Sequence, residues 1–553
     1  MCMNKFFRNG LLMLAAGALV VSCADYNVTD DFPAHPDPSY VEPYKDLGPV
    51  KSYIDRAQYP NLSLGATLKV TDFNKQELAH AAAVTNFDDV AFGTTLMAGT
   101  IVNAKGVMNF LDMSDLLTHV DEIGYTVYGS PLFANANQAD DWMNMLTAPI
   151  EIPVDYVEGK EVDYNTMTTF DGTVEKGKAS IAKYDGMNVL QIGTLSNVYI
   201  IEGFEVDPKA KYTITFWATT DKVSDTGVSF TVTFSGTPVS GSGSDGKFTV
   251  KQGKWTKFVI EAQSAPDVSE GYLRIENGRN GTIYVQKAQV GYYPDNHRPQ
   301  TDKEISDTIN FAVNDWCDGV MKINAGRIKS FDLIDEPIDP KAELENGMLD
   351  IKHSTEKVFW QDILGSENYA PVVSRAASTA FERHGGNPAD LKFFISETGL
   401  DNPKVIESLK YWIGIWDSKG AKIDGINAKL NLFYSEDAAT QAANEASLNL
   451  LLDNLAATGK LIRLSNFDIK YQDAAGAPVL ANNISEDQRQ RLADYYAYVI
   501  RSYMTKIPHD KQAGLCKGNL ADTTDPVGLW YVDNRDWVRT ANYKEFCDAL
   551  SGK

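Results

Sequence analysis

Ser330-Phe331-Asp332-Leu333-Ile334-Asp335-Glu336-Pro337 is the stretch on which the fold turns. Phe331, Leu333 and Ile334 supply the apolar run of a short buried strand, and Asp335 and Glu336 fall where that run ends. Pro337 disfavours the helical region for the residue before it, which predicts an extended Glu336 at the strand exit. A carboxylate at the C-terminal end of a barrel strand occupies the catalytic face of a (β/α)8 fold. An ordinary solvent-facing strand exit would show the same residues, so the segments on either side must decide.

Downstream, 391–397, 423–426, 461–468 and 513–516 read as further strands, and upstream so do 62–66, 86–92 and 125–128. Helical patterns lie between them, at 76–84, 114–123 and 304–322, with a last helix ending near Leu550. Strands alternating with helices mean βα units and a parallel sheet. From 151 to 296 the texture changes. Tyr212, Ile214 and Phe216 alternate with Thr213, Thr215 and Trp217, and Val228, Phe230, Val232 and Phe234 alternate with small polar residues. That period of two, broken by Gly, Ser, Asp and Asn turns, predicts an antiparallel β-sandwich of jelly-roll type. The expected fold is therefore α/β, a TIM (β/α)8 barrel over 58–150 and 297–553, interrupted by an inserted sandwich over 151–296. Sandwich termini often lie close together, so a barrel loop can accept one.

A chain of 553 residues is long enough for more than one domain. Its net charge of −23 argues against a nucleic-acid partner and against electrostatic attachment to anionic lipid, and suits neutral partners such as glycans. Lys5 and Arg8 precede an apolar run at 11–21 that is too short to span a bilayer, which marks 1–22 as a signal segment. Val20-Val21-Ser22-Cys23 resembles a bacterial lipobox, making Cys23 the lipidated N-terminus and the lipid the sole membrane attachment. The acidic Ala24-Asp25-Tyr26 and Asp30-Asp31 resemble the start of surface-exported Bacteroidetes lipoproteins, which implies the outer membrane and its outer face. Residues 23–57, rich in proline, read as a tether. The five cysteines form no disulfide framework, and the seven histidines show no metal-ligand spacing, so neither metal nor cofactor is expected.

The 330–337 strand resembles the acid/base strand of glycoside hydrolase family 10, the retaining endo-xylanases, which reads Trp-Asp-Val-Val-Asn-Glu. Phe331 replaces the Trp, Asp335 replaces the Asn, and Glu336 keeps the acid/base position. Ile423-Asp424-Gly425-Ile426 is the closest match elsewhere. A retaining enzyme needs two carboxyl groups about 5–5.5 Å apart. The family nucleophile lies in Ile-Thr-Glu-Leu-Asp, and the matching Leu464-Ser465-Asn466-Phe467-Asp468 has Asn466 in its place. An amide carries no charge to attack the anomeric carbon, and losing a triad nucleophile costs on the order of 10⁶ in turnover in a measured protease.

Two acids are candidate substitutes. Asp468 falls on the same strand face by period two, about 6.6 Å further along, and Glu397 matches a family Asp. An inverting pair needs about 6.5–9.5 Å, so Glu336 with either remains open. So does a substrate-assisted route, with Asn466 orienting an N-acetyl group beside Glu336.

The sugar-holding positions that the resemblance implies are altered. The family's Glu-Asn-Glu-Met-Lys aligns with Gly93-Thr94-Thr95-Leu96-Met97, and its Gly-His-Thr-Leu-Val-Trp-His with a segment ending in Asn135. Its His-Gln-Ser-His aligns with Ala428-Lys429-Leu430-Asn431, and a late Trp with Lys517-Gly518-Asn519. Asp335, Asn135 and Asn431 remain candidate ligand contacts. Residues 204–218 resemble carbohydrate-binding modules of families 4, 9 and 22, with Trp217 on the outward face as a candidate sugar platform.

The resemblance implies a cell-surface glycan-binding lipoprotein of polysaccharide utilisation, a pseudoenzyme on a xylanase scaffold. Its implied partners are a polysaccharide or oligosaccharide and outer-membrane glycan-uptake proteins. An active endo-glycosidase, xylanase-like, inverting or substrate-assisted, is the first alternative. An assembly lipoprotein that binds no sugar is the second.

Overall fold

The computed structural model describes residues 44–94, 97–243, 246–533 and 536–553. The signal segment 1–22, Cys23, the first part of the tether, and Thr95 and Leu96 lie outside the described residues. The chain forms two compact units, one comprising the chain up to Leu146 together with Ile305–Lys553, the other Thr147–Glu304.

The first unit is built on β1 (Ser63–Thr67), β2 (Asp89–Ala91), β3 (Thr126–Tyr128), β4 (Ser330–Asp335), β5 (Lys392–Glu397), β6 (Gly425–Lys429), β7 (Leu461–Ser465) and β8 (Gln512–Lys517). The helices that alternate with them are α1 (Leu78–Asn86), α2 (Leu111–Ile123), α3 (Asp302–Asn324), α4 (Tyr369–Arg383), α5 (Pro403–Ser418), α6 (Ala438–Ala456), α7 (Glu486–Lys506) and α8 (Ala541–Leu550). All the sheet pairings are parallel, in the order β3-β2-β1-β8-β7-β6-β5-β4, with a ninth short strand, Phe133–Ala134, beside the end of β4. The ring closes where Gly129, just past β3, bridges Phe331 and its N–H donates to the Ser330 carbonyl at 2.8 Å. A Cβ on Gly129 would lie 2.1 Å from Cδ1 of Phe331, so only glycine lets these two strands approach.

Local signals place the helices. Ser485 and Gln488 form a capping box at the start of α7, and Pro403 follows the Asn402 cap of α5. Their apolar faces supply the outer core, including the fully buried Trp316, Phe381, Trp416, Leu452 and Tyr503. The barrel interior is polar instead. Arg463 of β7 pairs with Asp89 of β2 at 2.8 Å, with side-chain exposures of 3% and 5%, and its guanidinium lies 4.0 Å from the centre of the Tyr128 ring. Breaking such a pair by removing one partner is costly because the other charge is left dry. Residues 44–57, read from sequence as the end of a tether, instead pack on this unit. Val50 and Ile54 are buried in its core, the Val50 N–H donates to Asn86, and Tyr543 donates to the Gly48 carbonyl. Val50 and Ile54, with Leu47 and Tyr53 packed beside them, dock a segment whose prolines suggested a spacer.

The second unit consists of two six-stranded antiparallel sheets around one apolar core. Lys211–Thr219 lies between Thr256–Ala262 and Ile283–Tyr293 in one sheet, and Glu270–Asn277 between Val228–Phe234 and Asn197–Glu205 in the other. Tyr212, Ile214 and Phe216 face the shared core, while Thr213, Thr215 and Trp217 are half-buried on the outer face. Among the described residues, no helix is long and apolar enough to cross a membrane.

Candidate active site

The C-terminal ends of β4 to β8 carry the chemistry. Glu336 follows β4 directly, but its φ is +46°, in the left-handed region rather than extended. Hydrogen bonds to β5 outweigh the pre-proline preference: the Glu336 N–H donates to the Ser396 carbonyl at 2.7 Å, and the Ile338 N–H donates to Glu397 at 3.0 Å. Asn466 stands directly after β7 and is also left-handed, with φ +51°. Non-glycine residues rarely adopt this conformation, which costs about 1–3 kcal/mol and concentrates at functional sites.

Lys429, the last residue of β6, bonds Asp335 and reaches Oε1 of Glu336 at 3.1 Å. Lys352 lies 3.7 Å from the other oxygen, Oε2. Burial opposes the Lys429 charge, yet Asp335 and then Glu336 hold the ammonium above lysine's ordinary value. Asp335 is buried and also accepts from the Ser396 hydroxyl at 2.5 Å. One layer deeper, Asp332 accepts from Tyr128 at 2.7 Å and from the Asn427 amide at 3.0 and 3.1 Å. Burial, then the Asp335 charge, pushes its carboxyl up to about 6.

The two substitute acids are held elsewhere. Glu397, the last residue of β5, accepts from the N–H groups of Ile338 (3.0 Å) and Thr398 (2.9 Å). It is 2% exposed, and burial pushes its carboxyl up to about 7, with a smaller upward push from Glu336. Asp468 does not share a strand face with Asn466. β7 ends at Ser465, and the left-handed Asn466 starts a tight turn in which the Asp468 N–H donates to the Asn466 carbonyl at 2.8 Å. Asp468 bonds the buried Lys517 ammonium and accepts from the Asn519 backbone at 3.1 Å and the Asn519 amide at 2.6 Å. The Asn466 amide itself donates to the Leu430 carbonyl at 2.9 Å.

A cavity of about 290 Å³ opens above this polar floor, lined among others by Thr94, Asp335, Asn427, Lys429, Asn466 and Cys516. A second, of about 550 Å³, shares Lys429 and Asn466 with it and is bordered by the exposed Asn431. Both fall near or within the usual size range of small-molecule sites. Asn135 is half-buried, and its side-chain Oδ1 accepts from the Gln361 amide at 2.9 Å. Trp217 lies in the other unit, with Lys257 Nζ 5.2 Å from its ring centre. Sequence reasoning passed over the lysines. In sequence Lys429 stands only as the residue aligned with the Gln of His-Gln-Ser-His, although a cation at the end of a strand beside two acidic strand ends is the available signal.

An eight-stranded βα barrel with paired and buried acids at its C-terminal mouth places these groups on the face where such barrels carry their sites. Residues 292–525 match the family model described as Glycosyl hydrolase family 10. Among solved structures, xylanase B from Clostridium stercorarium F9 superposes with a TM-score of 0.51 at 11% identity, covering 91% of this chain and 100% of its own. Xylanase XynB from Paenibacillus barcinonensis, complexed with a conduramine derivative, gives 0.50 at 8% identity, covering 91% and 99%. A GH10 endoxylanase retrieved from a sugarcane soil metagenome gives 0.50 at 9%, covering 91% and 100%. At such identities the likeness is one of fold. No curated protein matches the chain.

Proposed function

We propose that the chain is a glycan-binding protein that does not hydrolyse its ligand, built on a family 10 barrel. The observation that carries this is the commitment of every acid at the mouth. The Asn466 amide is bonded to Leu430 at the position aligned with the nucleophile, Asp468 is taken by Lys517 and Asn519, and Glu397 by two backbone N–H groups. Glu336 carries a lysine on each oxygen, Lys429 at 3.1 Å and Lys352 at 3.7 Å. The ligand class is suggested by the scaffold and by cavities that set hydroxyl and amide groups beside apolar ones, and xylan-type polysaccharides, the substrates named for the superposed enzymes, are the first to try. The two-sheet unit fits the role of an inserted jelly-roll carbohydrate module with Trp217 on its outer face. Lipid attachment at Cys23, an outer-membrane surface location and glycan-uptake partners complete the proposal.

The test is calorimetric titration of the full chain with plant and host oligosaccharides beside reducing-sugar release from the matching polymers. Binding without release is expected, and Asn466→Glu is expected to restore at most weak cleavage while the lysines persist. Release at ordinary enzyme rates, about 1–10³ s⁻¹, abolished by Glu336→Gln, overturns it. An inverting hydrolase is the second reading. It draws on Glu397, whose carboxyl near 7 is poised for acid–base work beside Glu336, and it requires that Glu397→Gln abolish activity.

A further inference from the structure

His353, Asp362 and Ser366 stand between β4 and α4 and have no part in the site above. With the imidazole proton on Nδ1, His353 donates to Asp362 Oδ1 at 2.5 Å, and its Nε2 faces Ser366 Oγ at 3.2 Å. Asp362 is fixed in turn, its other oxygen accepting from the Phe359 N–H at 3.3 Å. A hydroxyl on a histidine whose far nitrogen is oriented by a carboxylate is the arrangement that activates a serine nucleophile, and it is recognised by geometry and not by chain order. Ser366 and Glu367 lie in the turn leading into the 15-residue α4, and their backbone N–H groups make no backbone hydrogen bond. The end of a helix where N–H groups lack partners favours negative charge.

We propose that this cluster is a second catalytic site, a serine esterase for short acyl groups carried on hydrophilic alcohols. Ser366 Oγ attacks the acyl carbon while its proton passes to His353 Nε2. The carbonyl oxygen takes the displaced electron pair and is met by the Ser366 and Glu367 N–H groups. Collapse breaks the bond to the alcohol oxygen, which receives the proton from His353, leaving acyl-Ser366. Water then attacks that ester, gives a proton to His353 and releases the carboxylic acid, and His353 returns the proton to Ser366. The net reaction is ester plus water giving acid plus alcohol.

The surroundings set the substrate class. His353 is 42% exposed at its side chain, and its neighbours are polar: Asp350 lies 3.8 Å from Nε2, and Lys419 bonds Glu367 at 2.6 Å and Asn368 at 3.3 Å. Such a rim suits acetate better than a long acyl chain. His353 directly follows Lys352, whose ammonium lies 3.7 Å from Glu336. The esterase does not depend on the glycan-binding reading.

The test treats the full chain with a fluorophosphonate and maps the labelled peptide, then follows hydrolysis of p-nitrophenyl acetate and octanoate. Label on Ser366 is expected, with acetate preferred. Ser366→Ala and His353→Ala should each lower turnover by about 10²-fold or more at an unchanged unfolding midpoint, with the exposed Ser418→Ala as control. Asp362→Asn should lower it by up to about 10⁴-fold, with Asp362→Glu recovering part, since a positioning carboxylate can be replaced by another. Absence of label on Ser366, or turnover by Ser366→Ala at the parent rate, overturns the proposal.

Discussion

Lys429→Met removes the cation that ties β6 to the acidic end of β4. In the parent the ammonium touches Asp335 and Glu336, with side-chain exposures of 25% for the lysine, 11% for Asp335 and 32% for Glu336. Deleting one partner of a buried pair costs about 3–5 kcal/mol. Here the cost is reduced, because Asp335 keeps the Ser396 hydroxyl and Glu336 keeps Lys352 and is screened by water. We therefore expect a loss of about 2–4 kcal/mol in the unfolding free energy of the barrel. Urea titration followed by tryptophan fluorescence measures it, since Trp217 and Trp255 are the only tryptophans in the second unit. Asp335→Asn in the same chain should recover part of the loss, with a coupling of about 1–3 kcal/mol. A loss under about 0.5 kcal/mol, or losses that simply add, would refute the view that this lysine neutralises the mouth.

Acid should stabilise the barrel. Burial raises the Glu397 carboxyl to about 7 and the Asp332 carboxyl to about 6, so between their ordinary values and these the folded state binds more protons than the unfolded chain. Their contribution is full below the ordinary carboxylate range and is lost as pH rises through 6 and 7. Urea titrations at pH 5 and pH 8 should show the parent weaker at pH 8, with Glu397→Gln removing up to about 3 kcal/mol of that difference. A parent more stable at pH 8 would contradict the assignment. Gly129→Ala should cost about 1–3 kcal/mol by forcing β3 from Phe331, and Phe331→Leu in the same chain should restore part of it by calorimetry.

The barrel was legible because each strand is a short apolar run and each helix a longer periodic one, and the two-sheet unit because Tyr212 to Trp217 alternates cleanly. What escaped was pairing across the ring. Lys429 lies 93 residues from Glu336, and Arg463 374 residues from Asp89, distances over which no periodicity reports a contact. Local rules also failed where a longer-range bond won. Pro337 argued for an extended Glu336 until β5 supplied partners for the turn, and the prolines before Val50 concealed a segment that docks. The same turn defeated the period-two argument for Asp468, because the strand had already ended. His353, Asp362 and Ser366 are close in sequence but match no spacing rule, and only the fold shows their nitrogens and oxygens in line.

The backbone at position 466 has one further implication. Asparagine tolerates a positive φ far better than glutamate, because its short amide can bond the nearby backbone. Asn466 is thus better suited to this conformation than a glutamate would be. A glutamate introduced at that spot would have to bear a torsional cost that the asparagine largely avoids.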